Sequence, residues 1–144
     1  MTHRVVVAVD DSAPALAAAA AAIELAQLQP TELTFVTVAQ SGLDTTPILT
    51  HVLHLAAQAG VTAVGISSDD GPAFEAVLAE AHRAPADLIV IGRSDKQRPG
   101  APHVGSQTGH LIEFTDVPVL VVPTPPRHPT TRPTPPEPTP GDTP

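Results

Sequence analysis

Residues 4–29, RVVVAVDDSAPALAAAAAAIELAQLQ, decide the fold. RVVVAV (4–9) is a continuous β-branched run, as a strand buried on both faces requires. It stops at Asp10-Asp11-Ser12. The alanine-rich stretch 13–29 then favours helix, because alanine loses no side-chain entropy there. Ser12 is a natural N-cap, Pro14 is tolerated in a first turn, and Pro30 ends the helix.

The same unit recurs along the chain. ELTFVTVA (32–39) reads as a second strand and SGLDTTP as a loop. ILTHVLHLAAQA (48–59) has apolar residues at helical spacing, with Gly60 as the residue after its C-cap. VTAVGI (61–66) is a third strand, SSDDGP a turn, and PAFEAVLAEAHR (72–83) a third helix with Pro72 in its first turn. DLIVIG (87–92) is a fourth strand, SQTGHLIEF (106–114) a helix weakened by Gly109, and PVLVV (118–122) a fifth strand. Strands and helices alternate from end to end without an internal repeat. Uniformly apolar strands in that order imply an α/β fold, a parallel sheet with helices on both faces.

Composition bounds the rest. The 144 residues suit one domain, placed at 1–122. Residues 123–144 are mostly Pro and Thr without apolar periodicity, so a disordered tail is expected. An SH3-type ligand, a linker, or Thr-Pro phosphorylation at Thr134 and Thr139 stand beside that reading. Without cysteine there is neither a disulfide framework nor a thiolate metal site. The apolar run after the N-terminus is too short for a secretory segment, and the run at 13–23 is too short to span a bilayer. A soluble cytoplasmic protein is expected, with no membrane partner. A net charge of −8 and the absence of Tyr and Trp argue against a nucleic-acid partner.

In open parallel sheets ligands bind beyond the carboxyl ends of the strands, where strand order reverses. Candidates are therefore Asp10, Asp11 and Ser12, then Ala39 and Gln40, then the loop 92–106. That loop lies within IGRSDKQRPGAPHVGSQTG (91–109). Arg93, Lys96 and Arg98 fall there, whereas the rest of the domain holds only Arg4 and Arg83. Gly92 would let a ligand approach the backbone, and Gly105-Ser106 opens a helix whose free amides favour an anion. Two readings stay open: a phosphate cradle, or a capped helix after a solvated basic loop. The loop is neither a Walker A motif nor a dinucleotide fingerprint. Asp10-Asp11 reads as a hydrogen-bond acceptor beside a helix N-terminal charge rather than a catalytic pair. His51 and His54, three apart, lack an evident third metal ligand, and His103 lies in the basic loop. No catalytic residues and no metal site are assigned, and no enzyme is expected.

VVVAVDDSAPALAAAAAAIELA, DDGPAFEAVLAEA and ADLIVIGRSDKQRPGAPHVGSQTGHLIEFTDVPVLVV together resemble the universal stress protein family. The likeness covers essentially all of 1–122 and implies a five-stranded parallel sheet of order 3-2-1-4-5, the adenine nucleotide alpha-hydrolase-like fold. One branch of the family binds ATP through Gly, two residues, Gly, nine residues, Gly-Ser/Thr. The matching positions are Gly92, Asp95, Gly105 and Ser106, so the spacing is kept but the second glycine is aspartate. The chain thus stands between the ATP-binding branch and the branch without the glycines. The resemblance assigns Asp10 to the ribose, Val9 and Val38 to the adenine pocket, Ile91 to the nucleotide's flank, and Ser106, Gln107 and Thr108 to the phosphates. Asp95 would repel phosphate unless Arg93, Lys96 and Arg98 offset it or a Mg ion bridges it. The resemblance also implies a homodimer through Val119–Val122, and a regulatory stress-response role for which the protein partner is unknown. The alternative is a dimeric scaffold that binds no nucleotide.

Overall fold

The computed structural model describes residues 2–39, 44–69, 71–93 and 106–124, with Ser106 and Gln107 described in backbone only. The elements are β1 (His3–Ala8), α1 (Ala13–Leu28), β2 (Thr31–Val38), α2 (Thr46–Gln58), β3 (Thr62–Ser68), α3 (Ala73–Arg83), β4 (Leu88–Gly92), α4 (Ser106–Phe114) and β5 (Val119–Val122). All strand pairs are parallel, and the order is β3-β2-β1-β4-β5. The expected alternation and order both hold. The proposed tail beyond Thr124 lies outside the described residues.

Two apolar layers flank the sheet, because successive strand side chains alternate between its faces. Val5, Val7, Leu33, Phe35 and Val90 pack under α1 and α2. Val6, Val36, Ile89 and Ile91 pack under α3 and α4, with Val77, Ala81 and Leu111. Phe35 and Leu33 are fully buried, and each such side chain contributes roughly 1.5–3 kcal/mol of burial. α1 presents Ala18, Ala19 and Ala22 to the sheet, all without exposure. Their small side chains let the helix axis approach closely.

Helix ends follow the local chemistry. The Ser12 hydroxyl accepts from Ala15 N at 3.3 Å, and α1 stops at Leu28 with Gln29 extended before Pro30. At α2 the cap position, Thr45, makes no side-chain cap. Instead Asp44 Oδ1 accepts from Thr46 N at 2.9 Å. That backbone hydrogen bond, reinforced by the Thr46 side chain, holds the Asp44 carboxyl below the usual aspartate range. Gly60 follows α2 with φ +74°, the left-handed stop expected from sequence. Pro72 sits one residue earlier than expected, as the N-cap of α3.

β3 departs from the uniformly buried strand read from sequence. It runs on through Ser67 and Ser68, and Val64 is 54% exposed. The reason is topological. β3 is an outer strand, and α3 lies over β2 and β1, leaving the α3-side face of β3 partly open.

Two of the domain's cations meet one buried carboxylate at the amino end of the sheet. Where β1 begins, Arg4 Nη2 donates to Glu80 Oε1 at 2.9 Å. Its Nη1 reaches the carbonyls of Glu80, at 3.3 Å, and Ala84. Arg83 Nε and Nη2 donate to Glu80 at 3.0 and 2.5 Å. Glu80 is 7% exposed, so the buried carboxylate is fully engaged rather than stranded. The hydrogen bond from Arg83 outweighs the upward push of burial and, with both guanidinium charges, holds this carboxyl below the usual glutamate range. The cluster ties the end of α3 to the start of β1.

Candidate functional site

Strand order reverses between β1 and β4, since β2 and β3 lie on one side of β1 and β4 and β5 on the other. The carboxyl ends of β1 and β4 therefore flank the crevice where this architecture takes ligands. Ladder-like bonds continue past the strand ends. Val9 N donates to Val36 O at 2.9 Å, Ala39 N to Ser68 O at 2.8 Å, and Arg93 N to Val122 O at 2.7 Å. They give the rim of the crevice a fixed backbone.

Asp10 is exposed on that rim, and its Oδ1 accepts from Ser12 N at 2.7 Å. It is thus the loop acceptor foreseen from sequence. Asp11, also exposed, immediately precedes the Ser12 N-cap, beside the N-terminus of α1 and outside its first turn. The start of α1 has few donors left for an anion. Ser12 N is taken by Asp10, Ala15 N by Ser12, and Pro14 has no N–H. The other helix start at this crevice belongs to α4, which follows the basic loop.

Gly92 has a packing function that sequence reading missed. A β-carbon there would lie 2.8 Å from Pro14 Cβ and closer still to the Pro14 carbonyl. The first turn of α1 occupies the space that was attributed to ligand approach. Glycine is required at this position whether or not a ligand binds. The only signal in the sequence was a glycine ending a strand.

The apolar candidates divide between the two faces. Val9 is 5% exposed and packs in the layer under α1 and α2. Val38 shares a face with Val36, on the opposite side of the sheet. The side chains of Val9 and Val38 therefore lie on opposite faces of the sheet. Ile91 lies on the same face as Val36 and Leu111, and Thr108 of α4 is 3% exposed. Val38, Ile91 and α4 thus belong to one side. Ser106 and Gln107 begin α4 by their backbone, whereas Asp95, Lys96, Arg98, His103 and Gly105 lie outside the described residues.

A hollow of about 520 Å³ lies at the opposite end of the sheet among Thr2, Pro30, Thr31, Glu32, Gly60 and Thr62. Its only charged lining residue is Glu32, and it sits at strand amino ends, where this fold does not place ligands. A second hollow, about 140 Å³, borders Arg4, Glu80 and Arg83, where two guanidinium groups share the one Glu80 carboxylate. Arg4 and Arg83 are thus both engaged with Glu80, at the end of the sheet away from the crevice. Of the three cations after β4, Arg93 is exposed, and Lys96 and Arg98 lie outside the described residues.

His51 and His54 are both exposed on α2, and no cluster of three or more potential metal ligands occurs among the described residues. No helix among them is long and apolar enough to cross a membrane.

The profile of the universal stress protein family matches residues 1–51 and 47–123. No curated protein matches the chain. Solved structures with the same fold include a universal stress protein in complex with cAMP, at 24% identity and TM-score 0.73, covering 85% of this chain and 98% of that one. A universal stress protein from Archaeoglobus fulgidus aligns at 21% identity and TM-score 0.72, covering 85% and 99% respectively. A member from Burkholderia pseudomallei aligns at 24% identity and TM-score 0.66, covering 83% and 95%.

Proposed function

The chain belongs to the universal stress protein family, and on that premise we propose that it is a nucleotide-responsive regulatory module in a stress response. It takes ATP or another adenine nucleotide at the carboxyl ends of β1 and β4. The observation that carries this reading is the division of charge. Two of the domain's five cations are locked onto Glu80, and the other three lie in the segment joining Gly92 to α4. The structure bound to cAMP, a related chain, supports an adenine nucleotide as the ligand class.

In this reading Asp10 meets the ribose from the rim, Val38 and Ile91 give the apolar wall, and the start of α4 holds the phosphates through its amides. Val9 contributes backbone only. In the same reading the module works in the cytoplasm and by binding rather than by catalysis, as the sequence offers no general base with an evident partner.

The test is to denature the purified full chain, look for released nucleotide, and titrate ATP with and without Mg. Micromolar binding that is lost in Gly105→Asp and kept or tightened in Asp95→Gly is expected. A strict Mg requirement assigns Asp95 to the metal. Absence of binding under both conditions sinks the reading.

One observation favours a second role, homodimerisation. β5 is an outer strand, and Leu120 (38% exposed) and Ile112 (48% exposed) lie on it and on α4. An apolar outer strand invites pairing with a second copy. Without a nucleotide, this surface is what a dimeric scaffold would use.

A further inference from the structure

Where α3 meets α4, three rings come together. The Phe74 ring lies 5.0 Å from His110 and 6.3 Å from Phe114 between centroids, the latter pair stacked at 19°. The chain has three Phe and no Tyr or Trp, and Phe35 is fully buried. The other two phenylalanines thus share one surface site, and Phe114 is 59% exposed there. Exposed acids stand beside them in the chain: Glu75 next to Phe74, and Glu113 and Asp116 near Phe114.

A segment of matching chemistry follows β5. Residues 125–136, PPRHPTTRPTPP, combine proline with Arg127 and Arg132 and contain no acid. Proline-rich segments dock on aromatic surfaces at low entropic cost, because the polyproline II form is already extended. Arginine adds stacking on ring faces and pairing with carboxylates.

The placement is favourable. β5 ends at the same end of the sheet where Phe74 opens α3, and Val119 and Val121 share a packing layer with Phe74. The chain still lies against the domain at Thr124, whose Oγ1 is buried. At about 3.1 Å per residue, residues 125–136 extend roughly 37 Å, enough to reach α4 from there. We infer that the Pro/Arg-rich segment 125–136 docks on the Phe74–Phe114 surface of its own domain, covering the exposed ring with proline and placing Arg127 and Arg132 against its acidic border. This docking does not depend on a ligand at the strand carboxyl ends.

The test uses the full chain, labelled with ¹³C. Proline signals of residues 125–136 are expected upfield of random-coil positions through the ring currents of Phe114. They should return to random coil in Phe114→Ala, whose side chain is exposed, and in the double variant Arg127→Glu/Arg132→Glu, which leaves the domain untouched. Trypsin cleavage after Arg127 should be several-fold faster in Phe114→Ala than in the wild type. Random-coil proline signals in the wild type overturn the inference. So does an upfield shift that vanishes on dilution, which would assign the surface to the tail of a second copy. An unchanged shift in both variants overturns it as well.

Discussion

A β-carbon on Gly92 would stand 2.8 Å from Pro14 Cβ and collide with the Pro14 carbonyl. The end of β4 and the first turn of α1 are thus in direct contact at the mouth of the crevice. Gly92→Ala should destabilise the domain by about 1–3 kcal/mol, the usual cost of overpacking a site bounded by backbone. Urea unfolding should show a lower midpoint with an unchanged m-value. Gly60→Ala is the control: nothing lies within 4 Å, so only the φ of +74° opposes it, at about 1 kcal/mol. Equal costs for the two would refute the packing role of Gly92.

Glu80 should be the costliest polar residue to remove. Glu80→Ala leaves Arg4, whose side chain is 17% exposed, without its carboxylate, and a loss of about 3–5 kcal/mol is expected. Arg83 is 66% exposed, so Arg83→Ala should cost no more than about 1 kcal/mol. An Arg83→Ala cost equal to or above that of Glu80→Ala in chemical denaturation would refute this account of the cluster.

The same carboxylate predicts the acid response. Its pKa is lowered in the folded protein, so its stabilisation is present above the unfolded glutamate value, about 4.3, and is lost as pH falls through the lower folded value. Asp44 acts in the same direction. Unfolding midpoints measured down to pH about 3 should fall less steeply in Glu80→Gln than in the wild type. Parallel curves would contradict the assignment.

The outer edge at β5 predicts an assembly. Sedimentation equilibrium should show a wild-type dimer, and Leu120→Asp a folded monomer, since Leu120 is 38% exposed and loses little core packing. A monomeric wild type would remove β5 as the interface.

Much of this was legible in the chain because periodicity reports burial. RVVVAV and DLIVIG read as doubly covered strands, and they are the two central partners at the switch point. Caps at Ser12 and Gly60 were equally readable, because they depend on local hydrogen bonding and local φ. The basic loop was visible as composition, since only position along the chain is needed to see three cations gathered after a strand.

The sequence by itself determined the order of elements, their helix stops, and the class of sheet, since each follows from interactions between residues near one another in the chain. Only the tertiary structure decided the rest. It brought Arg4 to Glu80, set Pro14 against Gly92, separated Val9 from Val38 across the sheet, and stacked Phe74 on Phe114. Those pairings join residues far apart in sequence, and they are set by how helices cross a twisted sheet. No local propensity encodes that geometry, so composition showed which residues were available and packing chose their partners.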